Sequence, residues 1–188
     1  MKKLYTILLL MLTVAVNAQT VKLKAGSVLT YRVTNGADKY RLTVTIKELE
    51  PNLSITYALG DGKIDLGSVT ISRDALDNAI TLNNDLTGGI LSLSTETTLW
   101  FSKTVYNGLK RDFQSKLTTK GQTYTLLNNY EDEYKVTVDG KATGLNIIYA
   151  EEQSGKPNKY WVLNDETNPL IIKLIDWGVT IELEEIKL

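Results

Sequence analysis

Residues 159–188 read KYWVLNDETNPLIIKLIDWGVTIELEEIKL, and this stretch decides the fold class. Two apolar runs, residues 160–163 and 170–175, flank a polar turn at residues 164–169. Apolar runs without alternation are expected of strands that are covered on both faces. After a second turn at Trp177-Gly178, a third segment alternates apolar with polar residues. The stretch therefore predicts a three-stranded antiparallel meander.

The same alternation extends the sheet toward the N-terminus. Side chains that alternate with polar neighbours belong to strands with one apolar and one wet face. The alternating sets are Tyr40, Leu42, Val44 and Ile46; Leu53, Ile55 and Tyr57; Tyr134, Val136 and Val138; and Val179, Ile181 and Leu183. Turn signals such as Asn35-Gly36, Lys120-Gly121 and Asp139-Gly140 separate the strands. We predict a mainly β protein with one large curved antiparallel sheet, a half-barrel or open barrel; the alternative is a β-sandwich.

Two segments break this rhythm and predict short helices against the sheet. They are SRDALDNAITLNN, which starts at Ser72, and SKTVYNGLKR, which starts at Ser102. Each begins with a serine suited to an N-cap. The apolar sides of the two helices are expected to be Ala75, Leu76 and Ala79 in the first and Val105, Tyr106 and Leu109 in the second.

The first residues have the pattern of a secretory signal peptide. Lys2 and Lys3 precede an apolar stretch at residues 4–16, and a small-residue cleavage pattern ends at Ala18. We predict a signal peptide over residues 1–18 and a single β-rich domain over residues 19–188, with no transmembrane segment in the mature chain. The predicted location is the periplasm, with the extracellular space as the alternative. Because the chain has no cysteine, we expect no lipid anchor.

The composition excludes the commonest enzyme designs. The chain contains no histidine and no cysteine, so Ser-His-Asp and Cys-His arrangements and ordinary zinc sites are absent. Loss of Lys2 and Lys3 with the signal peptide leaves 19 basic against 22 acidic residues, which argues against a nucleic acid partner. We predict no cofactor, no catalytic residue and no metal site.

A resemblance supports export. The succession GSVTISRDALDNA, TTLWFSKTVYNGLK and YWVLNDETNPLIIKL resembles a group of uncharacterised exported envelope proteins of Gram-negative bacteria. It is also similar to domain-of-unknown-function families that end in a W-V-x-(N/D)-D…P-L hairpin. The resemblance covers roughly residues 67–187 and implies an exported domain built on a curved sheet. It implies no activity.

Carboxylates leave one enzymatic alternative open. They cluster at residues 131–133, 151–152, 165–166 and 184–185, but neighbours on a strand point to opposite faces. A glycosidase needs two carboxyl groups about 5 to 10 Å apart across a cleft, so only a long-range pair would serve. The alternating Asp61, Lys63 and Asp65 faintly resemble a calcium loop but fit a hairpin turn better.

The tryptophans lead to the main functional hypothesis. Trp100 and Trp161 stand in apolar surroundings typical of a core, whereas Trp177 lies at a turn and is the better candidate for sugar stacking. The run from Trp100 into the second helix predicts a wedge against the sheet and a cavity near Trp100, Val105 and Tyr106. We predict a non-catalytic binding module whose partner is an apolar small molecule or an envelope protein. The alternative is a carboxylate-based hydrolase acting on envelope glycans.

Overall fold

The computed structural model describes residues 21–60, 62–84 and 88–188, which form a mainly β fold with two short helices. The predicted signal peptide lies outside the described residues. The strands are β1 (Val28–Asn35), β2 (Asp38–Glu48), β3 (Leu53–Leu59), β4 (Ile64–Ile71), β5 (Thr81–Leu82), β6 (Gly89–Leu93), β7 (Glu96–Thr97), β8 (Gln114–Thr119), β9 (Gln122–Val138), β10 (Lys141–Glu152), β11 (Lys159–Leu163), β12 (Ile171–Asp176) and β13 (Val179–Lys187). The helices are α1 (Arg73–Asn78) and α2 (Lys103–Arg111).

All of these strands belong to one hydrogen-bonded sheet. Its order is β6-β4-β3-β2-β1-β13-β12-β11-β10-β9-β8-β5-β7. The predicted meander is present as β11, β12 and β13, whose neighbours pair antiparallel. A β-sandwich would divide the strands between two sheets, so the prediction of one large open sheet is confirmed and the sandwich alternative is not.

The sheet is strongly curved. Residues 185–186 of β13 pair in parallel with residues 137–138 of β9, although three strands lie between β9 and β13 in the sheet order. The sheet has to bend back on itself for these ends to meet. Register shifts at Tyr57/Ala58, Tyr149/Ala150 and Trp161/Val162 supply β-bulges that increase the local twist.

Parallel pairing is the main departure from the predicted sheet. β4 pairs in parallel with β6, and β5 pairs in parallel with β7 and β8. At the β4–β6 pair, a Cβ atom on Gly67 would lie 1.9 Å from the carbonyl oxygen of Gly89. Only glycine permits this close approach. Alternation in the sequence reports which face a residue occupies and not the direction of its neighbour, so these pairs were not foreseeable from it.

The core follows the alternating sets. Leu42, Val44 and Ile46 are buried, as are the apolar residues of β3. Tyr40 is an exception to the predicted pattern, because the first four residues of β2 are exposed near the β1–β2 turn. The runs in β11 and β12 are largely buried on both faces, as their lack of alternation predicts.

Both helices begin where the serines predict. The Ser72 hydroxyl accepts from the backbone N–H of Ala75 at 3.2 Å, and the Ser102 hydroxyl accepts from that of Val105 at 3.1 Å. Ser102 also donates to the carbonyl oxygen of Ala79, which joins the start of α2 to the end of α1. The two helices therefore form one unit on the sheet.

Candidate binding cavity

A cavity of about 520 Å³ lies between α1, the start of α2 and two loops. Its apolar lining consists of Leu23, Leu49, Leu53, Leu76, Trp100, Phe101 and Pro169. Its polar lining consists of Glu50, Arg73, Asp77, Lys103, Thr167 and Asn168. The turn at residues 164–169, which connects β11 to β12, contributes three of these wall residues.

Trp100 is held in the cavity wall by backbone pairing with the end of that turn. Trp100 forms an isolated antiparallel bridge with Leu170, and the N–H of Phe101 donates to the carbonyl oxygen of Pro169 at 3.0 Å. Leu99 precedes it with φ at 56°, a left-handed conformation that redirects the chain into this pairing. The approach of residues 99–101 to the turn is a long-range contact.

The Trp100 side chain carries an unsatisfied polar group. The residue is 2% exposed, and its indole Nε1 has no hydrogen bond partner among the described residues. Buried donors are partnered in the great majority of cases, and an unmade bond costs about 1 to 3 kcal/mol. Nε1 is itself buried, so a ligand acceptor would reach this donor only after a local shift of the cavity wall.

Charged residues at the cavity are paired with one another. Asp77 lies 2.8 Å from Nε of Arg73 in α1 and 3.0 Å from Nζ of Lys103 in α2. Hydrogen bonds from Lys103 and Arg73 lower the pKa of the Asp77 carboxyl. The ion pairs tie the two helices together at one wall of the cavity.

The predicted site residues do not all meet at this cavity. Trp100 lines it, whereas Val105 and Tyr106 are buried against the sheet and lie outside its lining. The Tyr106 hydroxyl donates to Oδ1 of Asn164 at 2.8 Å. Burial, with the nearby charges of Asp165, Glu131 and Glu166, raises the pKa of Tyr106 to about 12. The wedge between α2 and the sheet is filled by these side chains, and their binding role stays a prediction.

Most of the lining was not singled out by the sequence. Leu76 was expected on the apolar side of α1 and Leu53 on a strand, but Leu23 and Leu49 were not considered. The sequence gives little indication of these lining residues, because an apolar residue beside a turn has the same sequence pattern whether it lines a cavity or packs in a core. Only the tertiary approach of the residue 49–53 turn to α1 brings them together.

The other sequence candidates have structural partners. Asp61 lies outside the described residues, and Asp65 accepts from the backbone N–H of Gly67 at 3.1 Å within its own loop. Glu131 pairs with Lys110, and Glu184 pairs with Arg32. These carboxylates belong to solvated ion pairs, as expected of acids on turns and strand faces.

Pairs of acids line several cavities, and one such pair lies away from the cavity beside Trp100. Glu96 and Asp176 both line a second cavity of about 550 Å³, and neither was a candidate from the sequence. Each carboxylate accepts a side-chain amide hydrogen bond, Glu96 from Asn83 and Asp176 from Asn84, both at 3.0 Å. The hydrolase alternative remains a hypothesis.

The three tryptophans have different environments. Trp100 is buried, Trp161 is partly buried beside Tyr149, and Trp177 is 39% exposed. Nζ of Lys173 lies 5.3 Å from the Trp161 ring centre, within cation–π range. Only the turn residue Trp177 thus presents a large exposed indole surface in the part of the chain that the structure describes.

Two further searches concern metals and membranes. No group of three or more His, Cys, Asp or Glu side chains in the described ranges is arranged to hold a metal ion. Across the same ranges, no helix combines the length and the apolar character that a membrane crossing requires.

Comparison with known proteins gives little. No protein-family model and no curated protein matches the sequence. Among solved structures, a chain of the crystal structure of MucB in complex with MucA(peri) is similar, with 8% identity and a TM-score of 0.34. The similarity covers 85% of this chain, which spans about half of the other, 48%. A similarity at this level assigns neither a fold nor a function to this chain.

Proposed function

We propose that this protein is a non-catalytic periplasmic binding module that holds an acyl chain in the cavity beside Trp100. The export pattern of residues 1–18 supports the location. The ligand is apolar along its length and carries one oxygen that accepts a hydrogen bond from the indole N–H. Fatty acids and the acyl portions of lipids have this chemistry.

The size and the lining of the cavity support an apolar ligand. Small-molecule sites occupy roughly 300 to 1,000 Å³ and combine a mostly apolar wall with a few polar groups. The cavity has about 520 Å³, and its wall combines seven apolar residues, among them Leu76 and Trp100, with six polar ones. Each buried methylene of a ligand contributes about 0.8 kcal/mol, so an acyl chain gains affinity from this wall.

The observation that carries the proposal is the indole N–H of Trp100, which has no hydrogen bond partner among the residues that the structure describes. Tryptophan offers a donor and no acceptor, so its partner has to supply an oxygen or another acceptor. A purely apolar ligand would leave the donor unsatisfied. A carbonyl or carboxylate oxygen at the end of an acyl chain satisfies it.

The charges at the rim do not select the sign of the ligand. Arg73 and Lys103 are balanced by Asp77 and Glu50, and the first two are already paired with Asp77. The rim therefore admits a neutral acyl ester as well as a fatty acid. Selectivity resides in the apolar wall and the indole donor.

The test is a titration of the purified protein with a fluorescent fatty acid, after organic extraction and mass spectrometry of any lipid that copurifies. Leu76→Trp places a bulky ring in the cavity and is expected to weaken binding at least tenfold. The matched control is Ile64→Trp, because Ile64 is 60% exposed and lies outside the lining. The control is expected to bind like the wild type.

A second variant separates the indole donor from the wall. Trp100→Phe keeps an aromatic ring but removes the N–H, and it is expected to weaken binding about fivefold, equivalent to the roughly 1 kcal/mol of one hydrogen bond. Circular dichroism checks that each variant is folded. No copurifying lipid together with no saturable binding to the wild type would refute the acyl ligand and leave protein docking as the better account.

A further inference from the structure

The second cavity, of about 550 Å³, has the polar character of a saccharide site. It lies where β5 and β7 meet the β8–β9 turn and the end of β12. Its lining includes Asn83, Asn84, Glu96, Thr119, Lys120 and Asp176. Amides, carboxylates and a hydroxyl together offer both donors and acceptors, which is what the hydroxyl groups of a sugar require.

Asp176 is a buried carboxylate held by neutral donors. It is 2% exposed and accepts from Asn84 Nδ2 at 3.0 Å, Tyr160 Oη at 3.1 Å and Thr119 Oγ1 at 3.3 Å. Burial, then Tyr124 and the charge of Asp176, raise the pKa of Tyr160 well above its ordinary value, so the phenol keeps the proton that it donates. In the described residues, no lysine or arginine forms an ion pair with Asp176. A site whose carboxylate is stabilised by hydroxyl and amide groups suits a neutral polyol.

The amides of the cavity have a defined orientation. Asn83 and Asn84 direct their Nδ2 groups toward Glu96 and Asp176 respectively. The buried Oδ1 of Asn84 has no hydrogen bond partner in the described part of the chain. A hydroxyl donor is the group that this oxygen lacks, although it has to enter by a small shift of the wall.

Trp177 adjoins this cavity in an unfavourable backbone conformation. It has φ at 50° and Gly178 has φ at 84°, the two positive values of a type I′ turn, whose first position favours Asn or Asp. A left-handed conformation costs a residue other than glycine on the order of 1 to 3 kcal/mol, and such strain clusters at functional sites. This strained turn places the exposed indole of Trp177 next to Asp176.

The indole is fixed to the wall of the cavity. Its Nε1–H donates to Oγ1 of Thr119 at 3.1 Å, and Thr119 lines the cavity. Nζ of Lys156 lies 5.9 Å from the ring centre, at the limit of cation–π range. A ring anchored at one edge and 39% exposed offers a sugar a surface for stacking without further ordering of the side chain.

We infer that the cavity beside Asp176 and the indole of Trp177 form one carbohydrate-binding site for a neutral oligosaccharide. The ring stacks on one sugar, and the hydroxyls of the next sugar exchange hydrogen bonds with Asn84, Glu96 and Asp176. The site binds without cleaving its ligand. It is separate from the cavity beside Trp100 and does not depend on the proposed acyl ligand.

The test is isothermal titration of the full mature chain with maltotriose, cellotriose and chitotriose. We expect saturable binding of at least one trisaccharide, with at least tenfold weaker binding by Trp177→Asn. Asparagine suits the left-handed position, so this variant is expected to fold, which circular dichroism verifies. The matched control is Asp139→Asn at the corresponding position of the β9–β10 turn, where φ is 46°. It should bind like the wild type.

Three results would overturn the inference. The first is no saturable binding of any of the three trisaccharides. The second is a rise in melting temperature with CaCl₂ but not with the sugars, which would indicate a cation site. This conclusion holds whether or not Trp177→Asn abolishes the rise. The third is release of shorter sugars on chromatography after incubation, which would indicate hydrolysis. Leu76→Trp blocks only the cavity beside Trp100, so unchanged sugar binding in that variant separates the two proposals.

Discussion

Leu183 and Glu184 are neighbours on β13 whose side chains lie in opposite environments. Leu183 is 2% exposed in the core, whereas Glu184 pairs with Arg32 and Arg41 on the outer face. Both arginine side chains are more than half exposed, so the attraction is screened by solvent. Adjacent positions on one strand therefore differ in their sensitivity to substitution.

We expect Leu183→Asp to lower the free energy of unfolding by at least about 2 kcal/mol, because it buries an unpaired charge. Glu184→Ala is expected to change it by no more than about 1 kcal/mol, because it removes only screened ion pairs. Chemical denaturation of both variants measures the difference. Equal midpoints would show that the register of β13 is wrong.

At the residue scale, the sequence predicted which strand side chains are buried and which residues cap the helices. Leu42, Val44 and Ile46 are buried as alternation predicts, since side-chain direction in a strand depends only on position. The hydroxyls of Ser72 and Ser102 cap their helices because a cap is a local interaction. That Trp100 Nε1 lacks a partner in the described part of the chain was not predictable, because it depends on every group that packs around the ring.

At the element scale, Asp77 joins the two helices. Its carboxylate forms ion pairs with Arg73 of the same helix and with Lys103 of α2. Thr104 Oγ1 donates a hydrogen bond to the backbone carbonyl oxygen of Asp77 at 3.0 Å. The hydrogen bonds from Lys103 and Arg73 lower the pKa of Asp77 in the folded protein. A lowered pKa means that the charged carboxylate stabilises the fold above the unfolded pKa, near 3.9, and that this stabilisation is lost as the pH falls through the folded value.

We expect Asp77→Asn to lower the free energy of unfolding by about 0.5 to 1 kcal/mol at pH 7, a modest value because the carboxylate is one-third exposed. The difference from the wild type should shrink as the pH falls below about 4. Denaturation of both proteins at pH 7, 5 and 3 measures it. A difference that is the same at all three values would assign the effect to packing and not to charge.

The sequence predicted the presence of secondary-structure elements better than it predicted which elements contact one another. The turn at residues 164–169 was predicted as a connection, and it does connect β11 to β12. Its contact with residues 99–101 was not predicted, because nothing local to either segment specifies that pairing. The cavity depends on this contact, and of the predicted residues Trp100, Val105 and Tyr106 only Trp100 lines it.

At the scale of the whole molecule, the cavities beside Trp100 and beside Asp176 lie at different places on one curved sheet. The cavity beside Trp100 is walled by α1, α2 and loops, whereas the cavity beside Asp176 is walled by short strands and the β8–β9 turn. The first lining combines seven apolar residues with six polar ones, and the second includes two amides and two carboxylates. The sequence predicted a curved sheet. It did not predict the parallel pairing of β9 with β13, because that pairing depends on how the whole sheet bends.

In the proposed complex, a ligand oxygen accepts a hydrogen bond from the indole N–H of Trp100. The direct measurement is a titration of ¹⁵N-labelled protein with decanoic acid, followed through the three tryptophan indole N–H resonances, with Trp100→Phe used to assign that of Trp100. We predict a saturable shift of the Trp100 resonance toward higher proton frequency, with the Trp177 resonance unchanged because its N–H is already bonded to Thr119. A Trp100 resonance that stays in place at saturating decanoic acid, or shifts no more than that of Trp177, would contradict the account.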